Sequence, residues 1–171
     1  MAMTNITSLS GYLERGFDPH RIHEQASELL ESHDFDTVVA TGVSGTIALP
    51  MVAFAHNVNM LVVRKSQENC HSWLDCEGVL GSKWMFVDDF IHTGDTFRRV
   101  HDAVTRLAQK YERETEFVGA YLYAEFDGGT EAGKLVGKDR IFTKVGWGSK
   151  IAPKPESTPS SSYASAGSII W

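Results

Sequence analysis

The chain has 171 residues, 42% of them apolar, which suits one soluble domain large enough for a real core. Its 16 basic and 22 acidic residues leave a net charge of −6, which argues against a nucleic-acid footprint, so an anionic ligand must be held by local groups. No apolar run approaches the ~20 residues of a membrane span, and Met1–Ser10 lacks a basic segment followed by an apolar one, so the expectation is a cytoplasmic protein without a signal peptide.

In chain order, Asp18 is placed to cap a helix that opens on Pro19 and runs to Glu31, with Ile22, Ala26, Leu29 and Leu30 on one face. Phe35 to Thr41 is rich in β-branched residues and reads as a strand. Gly42-Val43-Ser44-Gly45-Thr46 reads as a tight polar loop, and Ile47 to Ala55 as a buried helix with Pro50 in its first turn. Met60 to Val63 is a short strand, closed by Arg64-Lys65. Ser66 to Ser82 shows no period and reads as a long loop, of a length often found in functional lids. It carries Cys70, His71 and Cys76, too few ligands at too poor a spacing for zinc, so the expectation is two reduced thiols.

Trp84 to Val87 is the expected central strand, and it ends in two adjacent carboxylates, Asp88 and Asp89. A short loop, Phe90 to Gly94, leads into a stretch where Phe97, Val100, Val104, Leu107 and Ala108 recur at helical steps. Phe117 to Tyr123 is a further strand, Gly128 to Gly137 a glycine-rich turn region, and Arg140 to Lys144 a last short extended segment. Residues 1–150 read as the domain. Ile151 to Trp171, with three prolines, many serines and the apolar end Ile169-Ile170-Trp171, reads as a tail whose end suits docking on a partner.

Alternating strands and helices imply an α/β fold whose mainly parallel sheet carries helices on both faces. Ligands of such sheets bind outside the strand carboxyl ends, where the acidic pair and the Gly42–Thr46 segment both lie. The helix start after Gly94 offers unpaired N–H groups and a positive dipole end to a phosphate. Gly94 lets the backbone approach closely, and the Thr93 and Thr96 hydroxyls can donate. Asp88 and Asp89 offer acceptors to sugar hydroxyls one step earlier. One segment thus has the chemistry to hold a ribose phosphate.

The run Val87-Asp88-Asp89-x-x-x-Thr93-Gly94-x-Thr96 resembles the phosphoribosyl-pyrophosphate (PRPP) motif of the type I phosphoribosyltransferases, and the resemblance extends over roughly Phe35 to Trp147. It implies a type I phosphoribosyltransferase-like (Rossmann-like) fold with a small hood and a mobile lid loop. The implied activity is magnesium-dependent transfer of the phosphoribosyl group of PRPP to a nucleobase, with inversion at the sugar C1 and release of pyrophosphate. On this match Asp88 and Asp89 bind the ribose hydroxyls or Mg2+ through water, and His92, Thr93, Gly94, Asp95 and Thr96 cradle the 5′-phosphate. Val43, Ser44 and Gly45, with Arg64 and Lys65, fall at the pyrophosphate positions, and Ser72-Trp73 loosely matches a lid pair. His92 stands where 6-oxopurine enzymes often carry a proton acceptor near the purine N7, a role an imidazole can fill; equally, it supplies only backbone to the loop. Ala120-Tyr121-Leu122-Tyr123-Ala124, Asp139-Arg140-Ile141-Phe142 and Gly146-Trp147 are similar to segments of bacterial xanthine–guanine enzymes, which makes Ile141 and Phe142 the candidates for stacking on a base. The acceptor implied is a 6-oxopurine, as in purine salvage, and a homodimer is expected. Two positions depart from the pattern: Val43, where many relatives carry a basic residue, and Asp95, a carboxylate beside the phosphate loop. Val43 and the tail leave a second expectation open, a fold relative that binds PRPP or nucleotide without turnover, as a regulator or assembly component.

Overall fold

Asp18 caps the first helix as expected: its Oδ1 accepts from the N–H groups of His20 and Arg21 at 3.0 and 3.2 Å, opening α1 (Pro19–Leu30) with Ile22, Ala26 and Leu30 buried. The computed structural model describes residues 17–65, 75–124 and 129–144. After α1 come β1 (Thr37–Thr41), α2 (Gly42–His56), β2 (Asn59–Val63), β3 (Cys76–Gly78) and β4 (Lys83–Asp88). They are followed by α3 (Asp95–Lys110), β5 (Glu116–Leu122), α4 (Gly129–Val136), a 3-10 turn (Lys138–Arg140) and β6 (Ile141–Phe142). The strands form one sheet in the order β3-β2-β1-β4-β5-β6, parallel except for β3, which runs antiparallel to β2 at the edge.

Every residue of β1 is buried, because helices cover both faces of the sheet there. Side chains alternate between two cores. Val39, Trp84, Phe86, Ala120 and Leu122 pack with Phe97, Val100 and Val104 of α3 and with Ala132 and Val136 of α4. Val38, Ala40, Met85, Val87 and Tyr121 pack with Ile22 and Leu30 of α1 and with Leu49 and Val52 of α2. The Tyr121 hydroxyl, buried in that second core, donates to the Ile22 carbonyl at 3.1 Å.

Four local expectations are corrected. Gly42–Thr46 is no loop: Gly42 takes φ +68°, turns the chain directly out of β1, and is itself the first residue of α2. Pro50 accordingly lies inside α2, where burial of Ala48, Leu49, Val52 and Ala53 outweighs the lost backbone bond. Within the expected long loop lies strand β3, with Cys76 buried and its thiol pushed up by burial and by nearby Asp75. The glycine-rich stretch after β5 is helical because Ala132 and Val136, one turn apart, share a buried face. Cys70, His71, Ser72-Trp73, Trp147 and the tail 151–171 lie outside the described residues, as does most of the expected lid. No described helix is long and apolar enough to cross a membrane.

Candidate active site

The chain leaves β1 into α2 on one face of the sheet and leaves the adjacent β4 toward α3 on the other. The crevice where the winding reverses is where open α/β sheets bind ligands. Here it is a cavity of about 610 Å³ between the carboxyl ends of β1 and β4. Its wall comprises Thr41, Gly42, Val43, Ser44, Lys65, the run from Asp88 to Gly94, Thr96, Phe97 and Arg99.

The acidic pair forms its floor. Asp88 is 5% exposed and Asp89 7%. Asp88 Oδ1 accepts from the Asp89 N–H at 3.0 Å and the Ser44 hydroxyl at 3.1 Å, and Asp89 Oδ1 accepts from the Phe90 N–H at 2.8 Å. Burial raises both carboxyls. Asp88 is pushed up to about 6, against the pull of those hydrogen bonds and of the nearby Arg99 and Lys65 charges. No set of three or more His, Cys, Asp or Glu side chains converges on a metal position among the described residues. The donor set is two adjacent carboxylates with oxygen atoms to spare. That fits Mg2+, which keeps waters and completes its shell with substrate phosphates rather than a protein cage.

At the α3 end, Gly94 adopts φ +83° and caps the helix. Its positive φ is what requires glycine; a Cβ built on it would also meet Leu135 Cδ1 at 1.9 Å, a terminal methyl that would have to move aside. The first helical bond runs from the Arg98 N–H to the Gly94 carbonyl at 2.9 Å, so the N–H groups of Thr96 and Phe97, two residues of the wall, have no partner within the helix, while the Asp95 N–H contacts the Thr93 hydroxyl at 3.4 Å. Asp95 is not part of the cavity wall. Its carboxylate accepts from the Thr93 hydroxyl at 2.8 Å and from Arg98 Nη1 at 3.1 Å, and Arg98 also donates to the Thr93 carbonyl at 3.1 Å. The counter-charge and outward direction remove the expected conflict with an anion.

At the α2 end, Val43 is 65% exposed and Ser44 reaches back to Asp88. The Tyr123 hydroxyl donates to the Ser44 carbonyl at 3.0 Å and anchors this turn to the end of β5. Gly45 lies beneath the turn rather than in the cavity wall: a Cβ there would sit 2.8 Å from the Val87 carbonyl oxygen, so its absence lets α2 approach β4. Lys65 lies beside Gly42 and lines the cavity.

The structure separates several residues that the sequence grouped. Arg64 pairs with Glu77 of β3 and does not line the cavity, because the antiparallel edge strand brings that carboxylate alongside. Ile141 and Phe142 belong to β6 beside β5, away from the cavity wall. Phe142 packs on His33 with ring centroids 4.1 Å apart, and Ile141 packs against the core, so neither is placed to stack on a base there. His92 is exposed on the wall. Arg99 was not among the expected residues. The signal that points to it is its step of three from Thr96, which puts both on one side of α3.

No family model matches the chain, and no curated protein matches it. Solved structures do. Orotate phosphoribosyltransferase from Aeropyrum pernix aligns with a TM-score of 0.52 at 15% identity, over 71% of this chain and 66% of that one. Orotate phosphoribosyltransferase from Mycobacterium tuberculosis H37Rv, in complex with Fe(III) dicitrate, gives 0.54 at 20% identity, over 71% and 67%. The chain thus spans about two thirds of the length of these structures. At such identities the likeness is one of architecture: the mainly parallel sheet flanked by helices is the type I phosphoribosyltransferase fold.

Proposed function

We propose that the chain is a magnesium-dependent phosphoribosyltransferase that moves the phosphoribosyl group of PRPP to a nucleobase and releases pyrophosphate. The observation that carries this reading is one cavity with a buried acidic pair on its floor and a helix N-terminus at each end. The α3 turn suits the 5′-phosphate, the pair suits the ribose hydroxyls, and the α2 turn with Lys65 suits the diphosphate. The volume is ordinary for a ligand of that size. When bound through Asp88 and Asp89, magnesium would neutralise charge on the diphosphate.

The reaction breaks the C1–O bond to the diphosphate and forms a C1–N bond to the base. Positive charge develops at the sugar ring between the two events. The buried carboxylates favour that charge, and a water-poor floor strengthens the effect. His92, at the mouth, is the candidate acceptor for the proton that the base loses, which favours a 6-oxopurine. The solved structures of the same fold named above are orotate enzymes, so orotate is the competing acceptor.

Val43, an exposed apolar side chain at the diphosphate end, favours a second reading, in which PRPP or nucleotide binds without turnover. Pyrophosphate release from PRPP and Mg2+, with and without base, separates the two. On the leading reading the double variant Asp88→Asn, Asp89→Asn loses turnover. Unchanged turnover in that variant would show that the site is assigned wrongly.

A further inference from the structure

Arg99 extends across the crevice from α3 to the end of β1, where its Nη2 donates to the Thr41 hydroxyl at 3.4 Å. The side chain is part of the cavity wall. Its Nε is closed off from solvent without a hydrogen-bond partner, and no carboxylate among the described residues forms an ion pair with it. Apart from the long contact to Thr41, no described group takes its remaining N–H donors, although its charge lies near enough to Asp88 to act on that carboxyl. An arginine in the wall with N–H donors to spare can take an anion bound in the cavity.

The surrounding residues say which anion. The end of the cavity that Arg99 reaches is formed by Thr41 and the first turn of α2. The side chains expected to supply positive charge there are largely missing: Val43 is apolar, and Arg64, although its Nη1 too is buried without a partner, pairs with Glu77 and does not line the cavity. Lys65 remains. A helix N-terminus and one exposed lysine are a thin complement for a diphosphate. The 5′-phosphate end has its own donors in the α3 turn. We propose that Arg99 is the cation that grips the diphosphate at the α2 end of the cleft, in place of the basic side chain that Val43 does not provide. The planar guanidinium can hold two phosphate oxygens at once, and its reach to Thr41 puts it at the α2 end of the cavity. The inference rests on the phosphoribosyltransferase reading and adds to it the residue that selects a diphosphate.

Calorimetry on the full chain tests it, using inorganic pyrophosphate with Mg2+ in one titration and ribose 5-phosphate in another. Arg99→Met should weaken pyrophosphate binding by about 10- to 100-fold, the range for losing a charge-assisted hydrogen bond. Arg99→Lys should fall between wild type and Arg99→Met, because it keeps the charge and loses the fork. Ribose 5-phosphate affinity should stay within about twofold, since its phosphate is held by the backbone of α3. Thermal melts check that each variant folds. If Arg99→Met fails to fold, the selective loss in Arg99→Lys decides. Unchanged pyrophosphate affinity, or an equal loss for both ligands, would overturn the role of Arg99 while leaving the broader reading intact. A wild-type chain that binds neither ligand would overturn both.

Discussion

Asp88 is buried before any cation arrives, and its cost is readable as a pH dependence. Its carboxyl titrates near 3.8 in the unfolded chain and is raised to about 6 in the fold, so the folded state holds the proton more tightly. The Asp88 contribution to the stability of the metal-free protein should therefore fall as pH rises from about 4 through about 6 and level off above. Asp88→Asn removes that dependence. At pH 8, where wild-type Asp88 is charged, the variant should be the more stable by at most about 3 kcal/mol, and the two should converge near pH 4. Urea unfolding at both pH values in metal-free buffer checks this; equal slopes with pH would show that Asp88 is better solvated than its burial indicates. The residue-level chemistry was legible in part. Adjacent aspartates followed by Thr93-Gly94 suggest a sugar phosphate by donor and acceptor type alone. Which cations face that site was not legible, because Arg64 is diverted by Glu77, whose position depends on a strand only three residues long.

Two turns join β1, β4 and the helices, one at each end of the strands. At the carboxyl ends, Gly94 gives the α3 turn its shape. Gly94→Ala brings strain at φ +83° and makes the Leu135 side chain shift, and should lower ribose 5-phosphate affinity by about tenfold, roughly the effect of 1.4 kcal/mol. Calorimetry beside a thermal melt separates this loss from unfolding. At the opposite ends, Asp36 ties the start of β1 to the start of β4. It accepts from the Ser82 N–H and hydroxyl, both at 2.7 Å, from the Thr37 hydroxyl at 2.9 Å and from the Lys83 N–H at 3.2 Å. Burial pushes its carboxyl up, but these bonds together outweigh burial and hold it below its usual value. Its contribution is present above the ordinary carboxylate range and is lost as pH falls through the lowered value. Asp36→Ala should cost about 2 kcal/mol at pH 7, and less in acid, as read by thermal melts at the two pH values. Helices with a cap and a single apolar face, such as α1 and α3, were legible because local sequence determines them. The start of α2, strand β3 and helix α4 were not. One begins without any connecting loop, one is too short to show a period, and one hides a buried face among glycines.

At the scale of the whole molecule, the strand order does what no single segment can. It places the ends of β1 and β4 side by side, so that two helix N-termini and the acidic pair meet in one cavity. The alternation of strands and helices made that convergence predictable. The edge position of β6 was not, and it removes Ile141 and Phe142 from the cavity wall. On the proposed reading, recognition of an acceptor would fall to the wall itself, with His92 the candidate.

The most direct test of the account is pyrophosphate release from PRPP and Mg2+ against guanine, xanthine, hypoxanthine, adenine, orotate and uracil. Release should depend on both PRPP and a base and be strongest with a 6-oxopurine. Release with orotate alone would keep the transferase and replace its acceptor. No release with any base, from a protein that binds PRPP, would contradict the central claim and leave a binding protein in an enzyme's fold.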